Sequence, residues 1–373
     1  MLIITLIIFL LVLGVLIFVH ELGHFLAARR EGVVVEEFGF GFPPRIFGFQ
    51  RGETIYSINL IPLGGFVRIK GEDGENRDDP NSFASKSIFS RFKMLFAGVA
   101  ANILLAVFLF SIIFFIGAPV VLDKNASSGK ITDMRVMIVD VSANSPAYSS
   151  GIKSGDTVLS LKDTNGSVFE VKTAKDIQDF IEKNRGKEIV FTVKRGSGIL
   201  ELKTGVRESF PEGQGPTGIG LAEVGTVSYP WYEAIWQGAK WTFEVAVFVI
   251  LAFLGLLKGL VISGTAGGQL TGPVGIAVLT GEAARLGFSY ILQFTALLSI
   301  NLAIINFLPF PALDGGRILF LAIEKIKGRP VSRELEGAVH TAGFMTLILL
   351  MVIITFRDFQ TYNVWERVVK LFG

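Results

Sequence analysis

The chain has 373 residues, half of them hydrophobic, with a mean hydropathy of +0.54. That is too apolar for an ordinary soluble domain and marks a polytopic membrane protein. A net charge of +2 offers no basic field for nucleic acid, and the absence of cysteine excludes disulfides and every thiolate metal site.

A bilayer core requires about 20 apolar helical residues. Residues 1–19 carry no charge, and the apolar pattern runs on to Ala28. No basic stretch precedes it and no A-x-A cleavage site ends it, so it reads as a retained helix, not a signal peptide. Residues 94–122 and 286–313 are likewise uncharged, and residues 337–356 contain only His340. These are four expected spans. A shorter run, 245–257, lies between Glu244 and Lys258 and follows Trp231, Trp236 and Trp241. Its length and tryptophans predict an interfacial or re-entrant helix. The glycine-rich "GTAGGQLTGPVG" after it predicts a linker.

Lys and Arg near the span ends set the orientation. Arg29, Arg30, Lys86, Arg91 and Lys93 lie between the first two spans. Arg317, Lys325, Lys327, Arg329 and Arg333 lie between the last two. Both loops are expected on the cytoplasmic side, with the segment from 123 to about 229 outside. A full crossing by 245–257 would put the second positive loop outside, against that rule.

"HELGH", residues 20–24, fits H-E-x-x-H inside the first span. Histidines at i and i+4 share one helical face, so His20 and His24 can bind one ion. Glu21 lies beside that face, placed to act as general base on a metal-bound water. Zinc suits two imidazoles, a hard third ligand and one open position. Polar residues inside a span need such a reason. The third ligand must come from elsewhere. In "NFLPFPALDGG", residues 306–316, Pro309 and Pro311 break the helix and two glycines let the backbone turn. Asp314 is then a carboxylate on irregular backbone at membrane depth, or the cap of a helix starting near Gly315. His340 is the rival ligand.

The two motifs, in this order, resemble the site-2 protease family of intramembrane zinc metalloproteases, and in particular its bacterial branch that cleaves anti-sigma factors and carries a PDZ domain. The resemblance covers nearly the whole chain. It implies one Zn2+ held by His20, His24 and Asp314, with Glu21 catalytic. It also implies that Asn306 helps position substrate or transition state; its amide either donates to a developing oxyanion or makes a helix–helix hydrogen bond.

Between the first two spans, residues 55–61 and 65–70 show β-type residues separated by Pro62 and glycine. They predict a β-hairpin or small sheet within residues 38–73, which the family reading sets against the membrane beside the active site. Proteolysis needs an extended substrate, and an exposed sheet edge can hold one by strand addition. Gly65, Phe66 and Val67 are the candidate edge. The acidic "GEDGENRDDP", residues 71–80, reads as a solvated loop. "NSPA" with "GIKSGDTVLSLKD" resembles a PDZ domain, and "TGIGL", residues 217–221, is a candidate part of its groove. That domain either binds a peptide by β-augmentation or gates access by bulk.

The expected architecture is a polytopic α-helical membrane protein: four transmembrane helices, a membrane-associated β-sheet and one inserted α+β PDZ domain. Residues 1–122 form the first part of the membrane core. Residues 123–222 form the PDZ domain with flanks, and 223–285 an interfacial or re-entrant helix with a glycine-rich hinge. Residues 286–356 complete the core, and 357–373 are an amphipathic tail. The expected activity is zinc endopeptidase cleavage of transmembrane segments in regulated intramembrane proteolysis, on anti-sigma factors or remnant signal peptides. Its partners are those transmembrane substrates, the lipid bilayer and a peptide at the PDZ domain, with no nucleic acid. The expected place is the bacterial inner membrane, with the PDZ domain outside and the active site near the cytoplasmic face. The alternative from another class is a non-catalytic PDZ-bearing scaffold or chaperone.

Overall fold

The computed structural model describes residues 2–121, 129–196, 198–211, 213–263 and 271–362. The chain divides into two units, residues 1–112 with 235–373, and residues 113–234.

The first unit begins with α1, Leu2–Arg30. It stops in a Schellman turn. Gly32 takes φ +67°, Val33 N–H donates to Ala28 O and Gly32 N–H to Arg29 O, with Arg29 and Arg30 in the last turn beside the carbonyl end. Strands β1, Val35–Arg51, and β2, Thr54–Ile69, follow. They pair antiparallel from Arg51↔Thr54 to Phe47↔Ile58, and again from Phe40↔Gly65 to Phe38↔Val67. The Phe38–Phe40 segment is also in register with Tyr56–Ile58, both numbers rising together. Folded on themselves in this way, the two long strands make four sheet segments, with residues 65–69 at one edge and 45–51 at the other.

This sheet climbs back along α1. Phe38 packs on Phe25 and Phe18, at ring distances of 5.0 and 5.6 Å, and Phe40 reaches Gly14. The expected sheet is thus present, and β1 adds a strand that the sequence hid. "FGFGFPPRIFGFQR" has too much glycine and proline to show strand alternation.

One 3-10 turn, Phe83–Ser85, leads to α2, Ile88–Ile116. After the sheet of the second unit, with its short helices α3, Pro146–Ser149, and α4, Ala174–Lys183, come α5, Trp231–Ser263; α6, Pro273–Leu286; α7, Phe288–Phe307; α8, Asp314–Lys327; and α9, Arg333–Thr361. α7 stops at Phe307, short of the expected 313, because Pro309 disfavours helix at Leu308.

Three expectations change here. Residues 245–257 are not a 13-residue element but part of the 33-residue α5. Glu244 bounded the uncharged window, yet it sits 3.9 Å from Lys240 on one helical face. The expected glycine-rich hinge gives way to a 14-residue helix, α6, with Pro273 in its first turn; residues 264–270 lie outside the described residues. The expected tail from 357 starts as helix, since α9 runs to Thr361; residues 363–373 also lie outside the described residues. By length and composition, five of the described helices are apolar enough to cross a membrane: α1, α2, α5, α7 and α9.

Asp358 ties the end of α9 to the start of α6. Its carboxylate is buried and accepts Gly275 N–H at 2.7 Å and Gly272 N–H at 3.2 Å. It caps α6 from another helix, where the N-cap residue Gly272 has no side chain to do so.

The second unit is one seven-stranded antiparallel sheet with two short helices. Its elements are β3, Ala118–Val121; β4, Lys130–Val141; α3, Pro146–Ser149; β5, Thr157–Lys162; β6, Val168–Glu170; α4, Ala174–Lys183; β7, Glu188–Arg195; β8, Gly198–Gly205; and β9, Ile219–Ser228. The strand order is β3-β9-β4-β5-β7-β8, with β6 on β5. Ile138, Leu161, Ile177, Phe191 and Val193 fill its core. Thr173 and Asp176 form a capping box on α4.

Replacing Asp358 with Asn should cost about 1–2 kcal/mol, the scale of a charge lost at a partly buried helix N-terminus. The expected result is a lower thermal midpoint for the full-length protein in detergent; an unchanged midpoint would show that α6 needs no cap from α9.

Candidate metal centre

His20 and His24 lie one turn apart on α1, both buried. Their Nε2 atoms are 3.2 Å apart. Asp314 Oδ2 is 3.2 Å from the first and 3.3 Å from the second. α7 ends, the Pro309–Pro311 turn reverses the chain, and α8 starts at Asp314, with Leu313 in the N-cap position. The carboxylate therefore faces the imidazoles, and the helix-cap alternative gives way.

The three atoms form a near-equilateral triangle. Tetrahedral zinc, with bonds of about 2.0–2.1 Å, sets its ligand atoms roughly 3.3–3.4 Å apart. The proton positions also suit a cation. His24 Nδ1 is 2.8 Å from Met94 O, which can only accept, so Nδ1 carries the proton and Nε2 presents a lone pair. Asp314 Oδ2 is buried and accepts no hydrogen bond. Three acceptors converge on one point, and a metal ion satisfies them. Among the described residues this is the group whose ligand atoms lie close enough to hold a metal.

His20 is oriented by a residue that sequence reasoning missed. The Asn102 side chain, fully buried on α2, stands 3.3 Å from His20 Nδ1, while Asn102 Oδ1 has no partner. Exchanging the amide O and N, which are interchangeable in shape, lets Oδ1 accept the Nδ1 proton and leaves Nε2 free. An asparagine within an uncharged span was the available signal. Gly98, one turn before it, was also missed. A Cβ there would lie 2.7 Å from His24 Cε1 and 2.8 Å from His20 Cε1. Only glycine lets α2 approach the histidines so closely.

The remaining candidates fall around this triangle. Asn306, in the last turn of α7, places its amide nitrogen 3.2 Å from His20 Nε2. Glu21 Oε2 accepts the Val67 backbone N–H at 3.1 Å. Gly65 also approaches Glu21, and the Phe66 ring lies against Gly39. The expected edge strand is therefore beside the acidic residue. His340 is not in the metal group; its Nδ1 accepts the Ala312 N–H at 2.8 Å.

The sheet carries its own buried charge. Glu37 accepts Arg45 Nη2 at 2.6 Å and Ser57 Oγ at 2.7 Å. Burial pushes its carboxyl up, but these bonds and the charges of Arg45 and Arg68 outweigh that and hold it below the usual range. The acidic stretch 71–80, expected to be merely solvated, is a strap. Glu72 binds Arg317 at 2.6 Å and Glu75 binds Arg333 at 3.0 Å, so the end of β2 is tied to α8 and α9.

Comparison with known proteins points to zinc metalloproteases. The family model described as "Peptidase family M50" matches residues 8–350. The zinc metalloprotease RasP of Geobacillus kaustophilus is 33% identical, over 95% of this chain and 97% of its own. A zinc metalloprotease RasP of Oceanobacillus iheyensis is 31% identical, over 95% and 99%. The regulator of sigma-W protease RasP of Bacillus subtilis is 31% identical, over 95% and 98%.

Gly98→Ala should displace both imidazoles and lower zinc affinity at least about tenfold, a loss on the scale of disturbed ligand support. Metal analysis after dialysis against a graded chelator would show it. Val67→Pro removes the N–H that holds Glu21, so cleavage should fall while zinc content survives.

Proposed function

The chain belongs to peptidase family M50 and is a zinc metalloprotease of the membrane, and we propose that its one zinc ion is held by His20, His24 and Asp314, with Glu21 as the acid–base residue. The observation that carries this reading is the triangle of lone-pair atoms at 3.2–3.3 Å drawn from opposite ends of the chain. When bound, zinc supplies Lewis acidity that polarises a peptide carbonyl and lowers the pKa of a water.

The protein's own groups do the rest. Glu21 takes a proton from the attacking water and returns it to the leaving amine. The Val67 N–H fixes which way Glu21 points before substrate arrives. Asn306 donates its amide N–H to the oxygen of the carbonyl under attack, where negative charge builds. The edge strand around Gly65, Phe66 and Val67 holds the substrate extended, exposing a bond that a helix would hide.

The substrates in this reading are transmembrane segments, cut in regulated intramembrane proteolysis. The name of the Bacillus subtilis relative, a regulator of sigma-W protease, supports membrane-bound anti-sigma factors as one class; remnant signal peptides are a second. The second unit is read as the PDZ domain, which admits or excludes substrates outside the membrane. Its support is the antiparallel sheet with α4 and the glycine turn at Gly218, φ +77°, leading into β9.

In this reading α1, α2, α7 and α9 cross the membrane and the metal site lies near the cytoplasmic face, for which the positive loops are the support. Helix α5 is left out for a geometric reason. Gly238 packs on Ser111 of α2, about 20 Å along that helix from Gly98 at the metal site. Gly272 packs on Asp358 of α9, about 27 Å along that helix from His340. A straight inward path from Gly238 would leave Ser263 more than about 40 Å from Gly272 along the membrane normal. Nine chain steps reach at most about 32 Å.

Glu21→Gln tests the reading. The variant should bind about one zinc per chain and lose roughly 10²–10⁴-fold in cleavage of a model transmembrane peptide, the usual worth of a positioned acid–base group. Undiminished cleavage would overturn the assignment.

A further inference from the structure

The turn that carries Asp314 is short of hydrogen-bond donors. Pro309 and Pro311 have no N–H. Phe310 N–H donates to Leu308 O at 2.7 Å, and Leu313 N–H to Phe310 O at 3.2 Å, both within the turn. Ala312 adopts φ +75°, the left-handed region that side-chain-bearing residues rarely occupy. That conformation aims its N–H away from the turn, at His340 Nδ1 on α9, 2.8 Å away.

α9 meets the turn twice on one face. Three residues beyond His340, Gly343 lies against Pro311, where a Cβ would stand 2.5 Å from Pro311 Cβ and 2.6 Å from Pro311 O. The His340 ring also rests on Phe320 of α8, at 5.5 Å between centroids. His340 thus touches the turn before Asp314 and the helix after it, while its own nitrogens take no part in the metal group.

We propose that His340 is a positioning residue for the third metal ligand. By accepting the Ala312 N–H it holds the turn in the strained shape that sets Asp314 Oδ2 on the two imidazoles. This rests on reading Asp314 as a zinc ligand. The requirement is for an acceptor at the Nδ1 position, not for a protonated or metal-binding imidazole. Asparagine offers Oδ1 in nearly that place. Phenylalanine keeps the ring against Phe320 and offers nothing to Ala312. Glycine at 312 adopts positive φ without strain, so it should relieve part of the need for the bond.

The test uses full-length protein in detergent, with two readouts: zinc retained against a graded chelator, and cleavage of a model transmembrane peptide. His340→Phe should lose zinc at least about tenfold more readily and fall in kcat by a similar factor, within the range known for groups that orient metal ligands. His340→Asn should stay within about threefold of the parent on both. Adding Ala312→Gly to His340→Phe should restore at least half of the lost retention. A His340→Phe variant that keeps zinc and turnover would overturn the proposal. So would His340→Asn failing as badly as His340→Phe, because an acceptor for the Ala312 N–H would then not be what the turn needs. Asp314→Ala, run in parallel, separates the two layers: full zinc in that variant sinks the ligand assignment, whereas lost zinc there with an unaffected His340→Phe sinks only the role of His340.

Discussion

Three lone pairs aimed at one point, inside a bundle of apolar helices, are the constraint on which the rest of this structure depends. Left without a cation, the arrangement is repulsive and the groups are desolvated. With one, every group has a partner. The surrounding residues make sense as devices that keep those lone pairs converging. The Met94 carbonyl fixes the His24 tautomer, and Asn102 stands against the outer nitrogen of His20. Neither residue reaches the ion position. Each sits on α2, and α2 comes this close only because Gly98 has no side chain to collide with the imidazoles.

The substrate path proposed beside the metal group is built from backbone rather than side chains. Sheet edges in lipid are costly because their N–H and C=O groups lack partners. Here the edge at residues 65–69 runs beside α1, where Val67 gives its N–H to Glu21. One hydrogen bond thus serves two ends: it satisfies an edge donor, and it orients the carboxylate. The strap from 71 to 80 then carries the end of β2 across to Arg317, one turn beyond Asp314 on α8. The edge strand, Glu21 and Asp314 are parts of one connected frame.

Much of this was legible in the sequence where chemistry and spacing coincide. His20, Glu21 and His24 stand out because charged and polar groups are rare within spans, and Asp314 because proline and glycine mark a broken helix at membrane depth. The sheet was half legible: residues 55–61 and 65–70 have strand composition, whereas β1 is obscured by glycine and by Pro43 and Pro44. α5 was misjudged because a window that stops at a charge ends too early when Lys240 and Glu244 pair across one turn. Asn102 and His340 could be noticed as polar residues in apolar runs, but their partners could not. Met94 lies 70 residues from His24 and His340 lies 28 from Ala312, and no local pattern encodes such pairs.

The ties that hold the frame differ in kind along its length. At the strap they are ionic and partly wet: the Glu75 and Arg333 side chains are 59% and 49% exposed, a setting in which an ion pair contributes about 0–1 kcal/mol. Arg91 and Glu324, joined by two hydrogen bonds at 12% and 17% exposure, are held more firmly. Around the metal group they are close approaches of glycine backbone, Gly98 against the two imidazoles, Gly315 against the Phe307 and Leu308 carbonyls and Gly343 against Pro311, where a side chain could enter only by moving a helix or an imidazole. Stiffness therefore concentrates where ligand geometry must hold to a few tenths of an ångström. The replaceable contacts collect at the strap, where the chain meets water and where small shifts leave the ion untouched.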